Sequence, residues 1–238
     1  MSIRRLLFTL AALLGLALPA VAQDWAGFEK YAADNAAWLA SDAPRPRAVF
    51  LGDSITRGWY KHRESFFTDH QYIGRGISGQ VSTQMLVRFS QDVLPFHPEV
   101  VVINAGTNDV AENQGPYDED RTFDTIVAIV RLAQANGIKP VMTSVLPAAG
   151  FRWNRKVTDA PEKIASLNAR LKAFAAAEKL LYVDYHAALL AGDGRSLDAG
   201  YSNDGVHPLP EGYAVMEPLV VEAIEKAHAS RRYGRLRR

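Results

Sequence analysis

From residue 48 onward, short apolar runs and longer amphipathic stretches take turns. Ala48–Leu51, Val100–Ile103, Pro140–Thr143 and Leu181–Val183 read as buried strands, with a weaker candidate near Tyr72–Ile73. Helical spacing of apolar residues covers about Val81–Val93, Thr122–Ala135 and Pro161–Glu178. A last helix opens near Pro210, since proline is tolerated at the first helical position. Strands that alternate with helices predict an α/β fold, a parallel sheet covered on both faces. Ligands of such sheets bind beyond the carboxyl ends of the strands, so chemistry is expected just after each strand. Upstream, Trp25, Phe28, Tyr31 and Trp38 fall near helical spacing and predict an N-terminal helix over residues 24–43, packed on the body. Pro44-Arg45-Pro46 is expected to end it, because the residue before a proline avoids helical geometry.

Composition alters this picture mainly at the two ends. The 238 residues are 48% hydrophobic and 22% charged, which excludes disorder, collagen-like repeats and a multi-pass membrane protein. The length suits one domain with a sizeable core, taken as residues 23–238. The absence of cysteine excludes disulfides, thiolate metal sites, a cysteine nucleophile and a lipid on an N-terminal cysteine. Arg4 and Arg5 precede an apolar run from Leu6 to Leu18, then Pro19 and Ala20-Val21-Ala22. That order predicts a secretory signal peptide over residues 1–22, cut after Ala22, and an exported protein, periplasmic or secreted. The 17 residues from Leu6 to Ala22 lie at the short limit for a membrane helix, so no stable membrane insertion is expected after cleavage. Residues 226–238 carry +6 and no acid, while residues 23–225 hold 19 basic and 26 acidic groups, a net −7. An acidic body with a basic tail fits a solvated helix end, with attachment to an anionic envelope surface as the rival reading. Nothing points to nucleic acid.

Four segments carry the candidate chemistry. Gly52-Asp53-Ser54-Ile55-Thr56 follows the first strand, so Ser54 enters a helix among backbone N–H groups that favour developing negative charge. Thr56 stands where the Gly-x-Ser-x-Gly elbow needs its last glycine, so that motif fails. Ile77-Ser78-Gly79 follows the second strand, and Asn104-Ala105-Gly106-Thr107-Asn108-Asp109 the third. Each of these two also fits plain turn chemistry. Near the C-terminus stands Asn203-Asp204-Gly205-Val206-His207-Pro208, where Pro208 biases His207 toward extended geometry. On such a loop, a carboxylate three residues before an imidazole can reach it and fix its tautomer. His62, His70, His97, His186 and His228 lack such a setting and read as surface or structural. No spacing suggests a metal.

Taken in order, the four segments resemble the blocks of the SGNH hydrolases, also called the GDSL esterase/lipase family, from Val49 to about Tyr213. Ile55 departs from the leucine of the shorter family name. The resemblance implies a three-layer α/β/α, flavodoxin-like fold with a five-stranded parallel sheet, and no metal or organic cofactor. It implies a serine esterase with Ser54 as nucleophile, His207 as base and Asp204 as acid. Ser54, Gly79 and Asn108 would supply the oxyanion hole.

The substrate is less legible. Trp59, Arg152 and Trp153 are candidate substrate contacts, each tryptophan having a second reading as cover for the core. With no long apolar stretch or lid-like insertion, short acyl esters, such as acetyl groups on carbohydrate or small molecules, are favoured over long-chain lipids. A lysophospholipase-type acylhydrolase, an acyltransferase and a noncatalytic carbohydrate-binding protein on the same scaffold remain as alternatives.

Overall fold

The computed structural model describes residues 24–230. The expected signal peptide, and the tail beyond residue 230, lie outside them. Five strands, β1 (Ala48–Gly52), β2 (Tyr72–Gly76), β3 (Val100–Ile103), β4 (Lys139–Thr143) and β5 (Leu181–Val183), form one sheet in the order β2-β1-β3-β4-β5, every pair parallel. This is the flavodoxin-like order, in which the chain reverses direction across the sheet at the β1/β3 boundary.

Alternate residues of each strand feed two separate cores. Val49, Leu51, Val101, Ile103 and Met142 pack on one face. There they meet α4 (Ser82–Asp92), α6 (Glu119–Ala135) and α7 (Ala160–Glu178). Ala48, Phe50, Val100, Val102 and Val141 pack on the other. That face is covered by α2 (Ser54–His62), α3 (Glu64–Asp69), α8 (Tyr185–Leu189) and α9 (Pro210–Ala229). Continuous apolar strands are therefore satisfied on both sides, as the sequence pattern requires. Among the described residues no helix is long and apolar enough to cross a membrane.

The N-terminal helix α1 spans Glu29–Leu39, shorter than the expected 24–43. Asp24, in the turn before it, holds its start, its carboxylate accepting from Phe28 N and Glu29 N at 2.8 and 2.9 Å. The helix stops well before Pro44, with Ser41 Oγ donating to Trp38 O, so the proline pair does not end it. Trp38 packs edge-on against Phe96, as expected of a core-facing aromatic, whereas Trp25 stays exposed in a preceding turn.

Candidate active site

The site forms at the carboxyl edge of the sheet, where β1 and β3 diverge. Close packing shapes the first turn. A Cβ on Gly76 would lie 2.2 Å from Arg57 N and 2.6 Å from Asp53 O, so β2 can run beneath the start of α2 only as glycine. Asp53 caps α2, its Oδ1 accepting from Ile55 N at 2.8 Å, and Ser54 begins the helix. Asp53 is fully buried, and that burial pushes its carboxyl up to about 6 despite the Ile55 N–H and the nearby His207.

Ser54 Oγ lies 2.8 Å from His207 Nε2, and His207 Nδ1 lies 2.7 Å from Asp204 Oδ2. Desolvation raises the Asp204 carboxyl, but bonds from the His207 backbone and ring and from Val206 N–H outweigh it and hold the group down at about 2. An ionised Asp204 fixes the proton on Nδ1 and leaves the Nε2 lone pair facing Ser54. The loop is held locally: Asp204 Oδ1 accepts from Val206 N and His207 N at 2.9 and 2.8 Å, and Ser202 Oγ lies 2.8 Å from His207 O.

A cavity of about 400 Å³ opens above this relay, lined by Ser54, Ser78, Gly79, Asn108, Asn113, Trp153 and His207. Gly79 has a φ of +79°, in the left-handed region that favours glycine. Asn108, on the short helix α5 (Thr107–Val110), is buried, with Nδ2 3.2 Å from Asp53 Oδ2 and 3.0 Å from Gln80 O. Its Oδ1 accepts from Asn113 Nδ2 at 2.7 Å, which settles the amide orientation. Asp109, next in sequence, turns away and holds the start of α4, accepting from Ser82 N and Oγ at 2.9 and 2.6 Å.

Ser54, Gly79, Asn108, Asp204 and His207 thus come together from three strand ends and a distant loop. Trp153 joins them: it is 48% exposed, 6.2 Å from the His207 ring, with Nε1 donating to Asn113 Oδ1 at 2.8 Å. Arg152 is exposed and donates to Asn203 O at 3.0 Å, beside the Asp204 loop rather than in the cavity wall. Trp59 is not brought to the site. It is 1% exposed, stacked on Phe66 and Tyr213, and its substrate-contact reading gives way to the core reading. Sequence reasoning missed Asn113, Asp53 as a partner of Asn108, and Ser78. The other histidines lie outside the cavity wall, His228 pairing with Glu99 at 2.7 Å and His70 with Phe66 O at 2.9 Å.

The GDSL-like Lipase/Acylhydrolase family model matches residues 50–215. Two solved structures are similar over most of their length. A candidate acylhydrolase from Bacteroides fragilis is 52% identical, with a TM-score of 0.81, over 86% of this chain and 98% of that one. A GDSL-like lipase from Bacteroides thetaiotaomicron is 50% identical, with a TM-score of 0.82, over 86% of this chain and all (100%) of that one. The uncharacterized lipoprotein YqeF of Bacillus subtilis is 31% identical over 116 residues, 42% of this chain and 48% of the relative, so the chain spans about half of that curated relative.

Proposed function

The chain belongs to the GDSL-like lipase/acylhydrolase family, and from that premise we propose that it is an exported serine esterase removing short acyl groups, acetyl above all, from carbohydrates or small molecules. The observation that carries the mechanism is the relay Ser54 Oγ–His207 Nε2–Asp204, with both links under 3 Å. Ser54 attacks the ester carbonyl as its proton passes to His207 Nε2, and Asp204 stabilises the imidazolium. The backbone N–H groups of Ser54 and Gly79 and the Asn108 amide meet the oxyanion, each such donor being worth about a hundred- to a thousandfold in rate. Asn108 contributes by sharing: its longer bond, to Asp53 at 3.2 Å, is the one that yields to a charged oxygen. The C–O bond then breaks, His207 returns its proton to the leaving alcohol, and water activated by the same base releases the acid.

Export is supported by the signal-like residues 1–22 and by the lipoprotein name of the Bacillus relative; this sequence holds no cysteine, so a lipid carried on cysteine has no attachment point in it. The test of the esterase reading is p-nitrophenyl acetate hydrolysis. Ser54→Ala should remove the activity without unfolding the protein, and an organophosphonate should label Ser54 in the wild type. A variant keeping a tenth of wild-type turnover would sink the assignment.

A further inference from the structure

Two tryptophans stay exposed among the described residues, Trp25 at 45% and Trp153 at 48%. Neither indole N–H is left to water alone. Trp153 Nε1 donates to Asn113 Oδ1 at 2.8 Å and Trp25 Nε1 to Gln114 Oε1 at 3.3 Å, so consecutive residues of one loop hold both rings. The backbone beneath Trp25 is pinned as well: Trp25 O and Ala26 O accept from the side-chain amides of Gln84 and Gln80, each at 2.6 Å. Rings already held in place at the surface present their apolar faces to a ligand with little further ordering cost.

The cavities connect the two rings. The catalytic cavity shares Gly79, Asn113 and Trp153 with a neighbour of about 410 Å³. That neighbour shares Gln114 with a third cavity of about 340 Å³, walled by Trp25, Gln114, Tyr117, Asp118 and Arg121 among others. A groove therefore runs from Ser54 past Trp153 to Trp25. Its walls mix indole faces with amides, the carboxylates of Asp109, Glu112 and Asp118 and the Arg121 guanidinium. An acyl chain lying there would strip water from those polar groups without replacing their bonds. A sugar offers an apolar ring face to each indole and hydroxyls to the groups between.

We propose that this groove is a glycan-binding cleft, with a second, noncatalytic sugar subsite at Trp25, Asp118 and Arg121, and that the natural substrate is an O-acetylated oligosaccharide or polysaccharide. The proposal rests on the esterase reading of Ser54 and adds that the alcohol part of the ester is a chain of sugars. Binding at the remote subsite holds the chain while the acetyl group reacts, so its energy appears in kcat/KM for long substrates only.

The experiment compares p-nitrophenyl acetate with chemically acetylated xylo- and cello-oligosaccharides of two and six residues, for wild type, Trp25→Ala and Trp25→Phe. Wild-type kcat/KM should be about tenfold higher for the six-residue member of at least one series. Trp25→Ala should bring that value down to the two-residue level and Trp25→Phe should keep most of it, with p-nitrophenyl acetate unchanged in both variants. Equal rates on short and long chains in both series, or a Trp25→Ala enzyme that keeps the length dependence, would overturn the cleft. Failure of wild type on p-nitrophenyl acetate and on every sugar would instead strike the esterase reading itself.

Discussion

The Asn108 amide nitrogen serves Asp53 and Gln80 O, while its oxygen takes a bond from Asn113. As an oxyanion donor it gains most when the carbonyl oxygen becomes charged, so Asn108→Ala should lower kcat about a hundredfold with KM nearly unchanged. Asn108→Asp should be at least as damaging, because it sets a second carboxylate against buried Asp53 as well as against the oxyanion. A folded Asn108→Asp enzyme with near-wild-type kcat would refute the role. Asp53 and Asp204 also make opposite demands on stability as pH changes. In the unfolded chain both titrate near 3.8; in the fold Asp53 sits at about 6 and Asp204 at about 2. Between pH ~4 and ~6 the unfolded chain releases the Asp53 proton while the fold retains it, so this group costs stability as pH rises, fully above about 6. Asp204 contributes stability above pH ~4 and loses it as pH falls toward 2. Thermal unfolding from pH 2 to 7 checks both signs. Asp53→Asn should show a more favourable change in Tm from pH 4 to 7 than wild type, and Asp204→Asn a smaller loss from pH 4 to 2. An Asp53→Asn profile parallel to wild type would mean that burial does not raise this carboxyl.

β1, β3, β4 and β5 announce themselves because burial on both faces demands unbroken apolar runs, α4, α6 and α7 because they are long enough to show a period, and α9 by the proline at its start. β2 does not. Its second half, Gly74-Arg75-Gly76, has the composition of a turn, yet it pairs in register with Phe50-Leu51-Gly52. The reasons lie far away in sequence: Arg75 is buried between the rings of Tyr31 and Phe96 and donates to Asn35 at 2.9 Å, and Gly76 lies against the start of α2. Helices α3 and α8 are too short to carry a period, and α1 starts beyond Asp24 and ends before the Pro44 segment, so its expected limits do not hold. That Ser54, Asp204 and His207 come together was legible because they sit directly at a strand end or within a short loop motif. Asn113 was not, since its place in the site depends on Asn108 folding back against it. Gly76→Ala tests the close approach. The clash is with backbone, which no rotamer relieves, so the cost should be about 2 kcal/mol or more in urea unfolding, with esterase activity falling as the Ser54 turn shifts. A wild-type urea midpoint would show room that a 2.2 Å contact denies.

Ser54 and His207, the proposed nucleophile and base, lie far apart in the chain, and a shared core keeps them in register. Tyr213 Oη donates to Ile55 O at 2.8 Å, Trp59 stacks on Tyr213, and Arg63 grips both Glu217 oxygens at 2.8 Å. These contacts fasten the helix that begins at Ser54 to the helix that follows His207, and Trp59 belongs to that brace rather than to the substrate. What the brace leaves open at the carboxyl edge is shallow: of the residues lining the cavity at Ser54, Trp153 alone offers a large apolar face, and among the described residues no apolar channel leads away from it. In a fitting apolar groove each added methylene would gain up to about 0.8 kcal/mol, close to fourfold in kcat/KM. Here a longer acyl chain reaches either water, with no gain, or Ser78 and Asn113, whose hydration it would displace without replacing their hydrogen bonds. Across p-nitrophenyl acetate, butyrate, hexanoate and octanoate, kcat/KM should therefore fall. The decline should persist in Trp25→Ala, because Trp25 lines a cavity other than the one that holds Ser54 and His207. A steady climb to octanoate would reveal an apolar channel and turn the assignment toward a lipase or lysophospholipase.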